Sequence, residues 1–276
     1  MASNSRSRQS KQKTVASSVI TLTFGDVAEN HVRMQKIGEM SDKGFSCDLL
    51  RRLAELHGGE LHDLRELLPE EDREKAPDTL VLVLRNWLEE EAGELLTEQL
   101  GLTPDTKCLS RGRVVNKIAR YNLCFSEVAQ QAEYEVGKGT IVSYSSVPHL
   151  NSLREKVTGL VSDGEDITLN CEGNYYYDTK KCYIGWHGDA ERRRVVGVRL
   201  GPYKTEDGVT TIQDESYPLR FRWHHRTEVV GETLEIGLKH GDLYIMSEHA
   251  VGTLWMSRSL YVPRHSAGSV KEPKAE

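Results

Sequence analysis

The sequence predicts a mainly β protein with helical additions, arranged as a double-sheet sandwich or jelly roll. Two observations predict it. From residue 167 onward the chain breaks into short runs rich in β-branched and aromatic residues, punctuated by Gly and Pro, which suits many short strands in two packed sheets. Further upstream, apolar residues recur at three- and four-residue steps in a few limited stretches, the spacing of helices.

Taken in order, the chain starts with Arg6, Arg8, Lys11 and Lys13 and no acid or apolar block. Residues 1–18 therefore read as a disordered basic tail, not a secretory signal. Leu49, Leu50, Leu53, Leu56 and Leu61 mark a helical stretch interrupted at Gly58-Gly59. Residues 19–75 read as an acidic helical N-terminal extension without chemistry, and a charged linker over 69–77 leads to a main domain over 76–268. Residues 79–84 form a continuous apolar run, expected as a buried strand. Residues 88–100 are an acidic amphipathic helix stopped by Gly101 and Pro104. Residues 135–144 suggest a turn into a strand, and 148–160 a helix. Strands are then expected at 168–170, 175–184, 195–200, 219–223, 233–238, 243–246 and 259–262. The polar end from Ser266 is expected to be loose, with 269–276 as a flexible tail.

Composition bounds the function. Hydrophobic residues make up 38% and charged residues 28%, the balance of a globular protein with a real core. No apolar run approaches the roughly 20 residues that span a bilayer, so no membrane partner is expected. Five cysteines without a CxxC pair argue for a reducing compartment, cytoplasm or nucleus, and against a disulfide frame or structural zinc. The net charge of -6 disfavours a nucleic-acid partner, but basic clusters at 111–120, 192–199 and 220–226 provide local positive surface.

The candidate chemistry centres on Tyr183-Ile184-Gly185-Trp186-His187-Gly188-Asp189. On a strand, residues two apart share a face, so His187 and Asp189 offer an imidazole and a carboxylate together. His249 is the candidate to close over them from a second strand. Two His and one carboxylate leave open positions opposite, the ligand set of non-haem Fe(II) oxygenases. A second His-x-Asp, His240-Gly241-Asp242, precedes an apolar run and reads as a turn. Arg258 and Arg264, six apart, suit a dicarboxylate co-substrate through their planar forks.

Asn174-Tyr175-Tyr176, His187-Gly188-Asp189, His249, Arg258 and Arg264, in that order, resemble the AlkB-like Fe(II)/2-oxoglutarate dioxygenases over about residues 76–268. Arg111-Gly112-Arg113-Val114-Val115-Asn116-Lys117 is similar to the basic segment that precedes the barrel in that family. The resemblance implies a double-stranded β-helix (jelly-roll) core with Fe(II) on His187, Asp189 and His249, and 2-oxoglutarate and O2 as co-substrates. Arg258 would take the distal carboxylate of 2-oxoglutarate and Arg264 would lie near its keto-acid end, with Asn174, Tyr176 and Tyr244 completing the pocket. The implied reaction is oxidation or demethylation of N-alkylated nucleic-acid bases, single-stranded or flipped. Trp186 and Tyr183 are then candidates to stack on the base, and Arg192 and Arg113 to meet phosphates. Glu248 is the rival to His249 if the strand slips by one residue. An oxygenase acting on a protein or small molecule, and a non-catalytic binding module of the same fold, are the alternative functions.

Overall fold

The computed structural model describes residues 15–268. The tails expected at the two ends lie outside them up to residue 14 and from residue 269. The elements run β1 (Ser18–Gly25), β2 (Val27–Glu29), β3 (Lys36–Gly38), α1 (Cys47–His57), β4 (Glu60–Asp63), α2 (Glu70–Arg73), β5 (Leu80–Leu84) and α3 (Glu91–Leu100). After these come β6 (Lys107–Ser110), β7 (Arg113–Asn116), β8 (Tyr121–Ser126), β9 (Ile141–Ser143), α4 (Pro148–Val161), β10 (Asn170–Tyr176), β11 (Tyr183–His187) and β12 (Val195–Glu206). The chain continues through β13 (Val209–Ile212), β14 (Tyr217–His225), β15 (Glu228–Leu238), β16 (Leu243–Met246), α5 (Glu248–Val251) and β17 (Val262–Gly268). The protein is thus mainly β, as expected. No helix among the described residues is long and apolar enough to cross a membrane.

Two main sheets organise most of these strands, with β2-β3 and β6-β7 as separate two-stranded pairs. The larger has the order β4-β5-β16-β12-β1-β10-β8-β9, with β13 added to β12; the smaller has the order β11-β17-β14-β15. One face of the large sheet is apolar. Ile20, Leu22 and Phe24 of β1 form a single buried cluster with Leu82, with Leu50 of α1, Leu95 of α3 and Leu150 of α4. The three helices present the apolar stripes that cover this face. Helix α1 starts where the Ser46 hydroxyl accepts the Leu49 amide N–H, and it ends at Gly58 in the left-handed region, φ 67°, where glycine carries no Cβ penalty. The other face meets the small sheet through Val195, Phe221, Trp223 and Tyr244.

That second face is polar along its middle. Strand register sets Asn122, Asn174, Thr21 and Arg199 side by side across β8, β10, β1 and β12. The next row is Cys124, Glu172, Thr23, Gly197 and Tyr244. All of the polar side chains in these rows are buried.

The structure corrects the expected helical extension. Ser18–Gly25 is a strand at the centre of the large sheet, paired with both β10 and β12. Its pattern, Val-Ile-Thr-Leu-Thr-Phe, alternates at period two: a fully apolar face for the helices and a Thr-bearing face for the interior. Helix α1 ends at Gly58, at the expected interruption, but the residues beyond do not resume as a long helix: β4 follows and pairs with β5. The segment beyond is fastened to the small sheet, where the Trp223 indole N–H donates to the Leu64 carbonyl at 2.6 Å. At the other end, the strand expected over 259–262 begins at Val262 and runs on through Ser266–Gly268, which are buried, not loose.

Removal of residues 1–25 is expected to abolish cooperative unfolding, since it opens the large sheet at its middle. Leu22→Ala is expected to lower stability by about 2–5 kcal/mol. Urea denaturation followed by circular dichroism checks both.

Candidate metal centre

Strand β11 delivers His187 at its last position, and a tight turn through Gly188 returns Asp189 beside it. The turn has no room for a side chain: a Cβ on Gly188 would stand 2.1 Å from the Gly252 carbonyl oxygen and 2.7 Å from the Trp255 Cβ. The Asp189 amide N–H donates to the Val251 carbonyl. The segment after α5 therefore holds this turn in place.

The third side chain comes from β17, whose antiparallel register with β11 sets His265 opposite His187. The Asp189 Oδ1 lies 3.3 Å from His187 Nε2 and 3.5 Å from His265 Nε2. The imidazole centroids are 4.4 Å apart, inclined at 61°. One ligand atom from each of the three residues lies within 4.8 Å of the others. His187 Nδ1 is 2.8 Å from the Gly185 carbonyl, which calls for a proton on Nδ1 and leaves Nε2 as the ring nitrogen that faces Asp189.

Electrostatics favour an ionised carboxylate. Burial opposes the charge on Asp189, but the Arg192 guanidinium and the two imidazoles outweigh it and hold the carboxyl well below its usual range. Burial lowers the His265 imidazole, and neighbouring His187 lowers it further. Burial also pushes His187 down, yet its bond to Asp189 leaves it above the ordinary value. Arg192 Nε stands 3.6 Å from Asp189 Oδ2, and its Nη2 reaches Glu172 at 2.9 Å and Glu191 at 3.0 Å. Two imidazole nitrogens and one anionic oxygen this close together could hold a metal ion. The His265 Nδ1 has no partner among the described residues.

A second feature shares this interior. Arg199 is 1% exposed, and its Nε and Nη1 have no partner among the described residues, nor has the Thr21 hydroxyl beside it in register. Three phenols enclose it. Its guanidinium stands 5.0 Å from the Tyr217 ring centroid, and Tyr217 stacks obliquely on Tyr176 at 5.0 Å. Tyr244 lies flat over Gly197, where a Cβ would come within 2.0 Å of the ring. Burial chiefly raises the Tyr244 phenol, and the charges of both Arg199 and Asp189 act on it. A buried guanidinium remains protonated, and without an anion it costs several kcal/mol.

Several expected site residues lie elsewhere. His249 is exposed on α5, and Glu248 turns away to Arg193 at 2.9 Å and to the Gly44 amide at 3.1 Å. Neither joins the cluster, because residues 248–251 coil into a helical turn and not a strand. Arg258 is exposed in the loop between α5 and β17. Arg264 alternates with His265 and so points to the opposite side of the small sheet, over the Trp255 ring at 5.2 Å. Asn174 does line the interior, accepting from Arg120 Nε at 2.6 Å and Asn122 Nδ2 at 2.8 Å. Tyr176 and Tyr244 also line it, around Arg199. Among the substrate candidates, Arg192 is buried in the acid network, Trp186 lies 4.1 Å beneath the Arg222 guanidinium, and Tyr183 and Arg113 are exposed.

The sequence did carry a signal for Arg199, the single charge in the apolar run Val195-Val196-Gly197-Val198-Arg199-Leu200. His265 had no comparable local signal.

The fold and cluster define a β protein with a partly buried His/Asp/His cluster. No family model matches the chain. Over 264 residues it is 41% identical to "Uncharacterized protein R156" of Acanthamoeba polyphaga mimivirus, a match covering 91% of this chain and 96% of that protein. The chain belongs to the same family as that viral protein.

One titration near the centre is testable. His224 is buried; its Nε2 accepts from Arg222 Nε at 3.2 Å, and its Nδ1 lies 3.4 Å from the Thr227 carbonyl. Burial, with the charges of Arg264 and Arg222, lowers its pKa to about 4. The folded state thus refuses a proton that the unfolded chain accepts below about 6.5, so this contribution to stability falls as pH drops through that window. His224→Gln is expected to flatten the decline in unfolding midpoint between pH 6.5 and about 4, as measured by thermal melts across pH.

Proposed function

We propose that this protein is an Fe(II)- and 2-oxoglutarate-dependent dioxygenase acting on N-alkylated nucleic-acid bases. One observation carries the oxygenase reading: a clustered His187/Asp189/His265 set and a buried Arg199, whose Nε and Nη1 have no partner among the described residues, both lie in electrostatic reach of Tyr244, directly for Arg199 and through Asp189 for the set. Strand order supports it. We read β10-β1-β12-β16 facing β11-β17-β14-β15 as a double-stranded β-helix. In it β1, from the start of the chain, takes the place that a strand following β17 would occupy.

In this proposal His187, Asp189 and His265 hold the iron on one side and leave the other open. Bound iron supplies the coupling of O2 reduction to oxidative decarboxylation of the keto-acid, giving succinate, CO2 and a hydroxylated substrate carbon. Arg199 is assigned the distal carboxylate of 2-oxoglutarate, in place of Arg258 and Arg264, with the Thr21 hydroxyl available to the same group. Tyr176, Tyr217 and Tyr244 keep water from that ion pair, which strengthens it. Arg192 holds Asp189 ionised and oriented. When the oxidised carbon is an N-methyl group, the hydroxymethyl product releases formaldehyde and leaves the free base.

The substrate class rests on the surface. The β6–β7 hairpin carries Arg111 and Arg113 exposed at its turn and Ile118 81% exposed just beyond it. Arg120, on the same segment, reaches Asn174 of the interior. A hairpin with outward cations, rooted at the interior, suits a strand whose phosphates stay outside while one base goes in.

His265→Ala and His187→Ala are each expected to weaken Fe(II) or Co(II) binding at least tenfold in calorimetry, whereas His249→Ala leaves it unchanged. Equal loss in all three, or none, overturns the assignment. For Arg199→Met, half-saturation by 2-oxoglutarate in a succinate-release assay is expected to rise about 10²-fold, with Arg258→Ala indistinguishable from wild type. The same variant, lacking its unpaired buried charge, is expected to unfold at a higher temperature in the absence of ligand. Succinate release that ignores methylated single-stranded oligonucleotides, yet still needs His265, would assign the oxygenase another substrate.

A further inference from the structure

A cavity of about 450 Å³, within the range of small-molecule sites, lies outside the metal centre and includes none of its three side chains. Its walls are the segment before β5, the first turn of α5 with the residues that follow, and the start of β17. The body of the cavity is apolar, formed by Ala76, Pro77, Leu254, Leu260, Val262 and Pro263. Leu254 and Leu260 are 59% and 46% exposed there. Large apolar side chains left open around a concave site favour an apolar guest.

The charged groups facing the cavity are Lys75, Arg193, Glu248 and His249. Glu248 is already engaged at both oxygens, with Oε1 accepting from Arg193 Nη1 and Oε2 from the Gly44 amide. The Arg193 side chain is 31% exposed, and its bond to Glu248 uses Nη1 alone. The polar end of the cavity therefore has a donor to spare and no free acceptor on its one carboxylate. The walls are fixed before any ligand arrives, since the Tyr261 hydroxyl donates to Asp72 at 2.8 Å and the Thr253 hydroxyl to the Arg192 carbonyl at 3.3 Å.

We propose that this cavity binds a small amphipathic carboxylate: a hydrocarbon body against Leu254, Leu260 and Val262, and a carboxylate on Arg193. It is separate from the 2-oxoglutarate position assigned to Arg199 and stands whether or not the oxygenase reading does. The site shares a wall with the metal centre, because Gly252 lines the cavity and packs on Gly188 while the adjacent Val251 carbonyl holds the Asp189 amide.

The test is calorimetric titration of the full chain with octanoate and with its neutral analogue octanamide. Wild type is expected to bind octanoate about tenfold more tightly than octanamide. Arg193→Gln is expected to erase that preference while keeping the amide affinity. Leu260→Glu, at a half-exposed position, is expected to weaken both ligands about tenfold or more through lost apolar contact, with added like charge acting on octanoate alone. Leu56→Glu, 76% exposed on α1, is the control and is expected to match wild type. Thermal melts confirm folding, and should Arg193→Gln not fold, the wild-type ligand ratio and Leu260→Glu decide. No saturable binding to wild type, equal affinity for acid and amide, or an unchanged Leu260→Glu overturns the proposal.

Discussion

The carboxylate of Asp189 sits where two sheets close on each other, and it stays ionised there only because Arg192 and two imidazoles surround it. Arg192 in turn is held by Glu172 and Glu191. Removing any one of these groups leaves an uncompensated charge in a low-dielectric interior, which costs far more than the net contribution of the pair. The placement of Glu172 on β10, the tight turn through Gly188 and the β11–β17 register are all consequences of seating that one carboxylate. The absence of a side chain at Gly188 belongs to the same constraint.

The polar face of the large sheet extends this logic. Buried polar groups are ordinarily paired, and Asn122 and Asn174 obey that rule: Asn122 Nδ2 donates to Asn174 Oδ1, Asn174 Nδ2 donates to Glu172, and Lys117 donates to Asn122 Oδ1. Its continuation does not: the Thr21 hydroxyl and Arg199 Nε and Nη1 lack partners among the described residues. One row of a single sheet thus runs from satisfied to unsatisfied groups, the contrast on which the proposed 2-oxoglutarate position rests.

Local pattern foretold local structure. The run from Leu80 to Leu84 and the helices α3 and α4 follow from composition and period alone, whereas His187 and Asp189 meet through a turn at Gly188 and not through the shared strand face that their spacing suggested. What failed was non-local. His249 had the expected order in the chain but sits on a helical turn, whereas His265 owes its place to pairing with a strand 78 positions earlier, interrupted by a register shift between Ile184 and His187. No spacing rule encodes that. Strand β1 escaped notice because threonines at alternate positions blur an apolar run, and because its hydrogen-bonding partners lie far downstream. Arg264 was misjudged by one residue of strand parity, which is enough to turn a side chain through the sheet.

The position of β1 also bears on how the chain is made. Ile20 and Phe24 leave the ribosome early, yet their strand partners, Leu200 and Val196 on one side and Tyr175 and Cys171 on the other, are translated much later. Until then both edges of β1 and its apolar face are bare, a state that invites mispairing with other nascent chains. A sheet centred on its earliest strand and closed by much later ones has high contact order and folds slowly. The wait of β1 for its strand partners is thus set by topology, by how far downstream β10 and β12 lie.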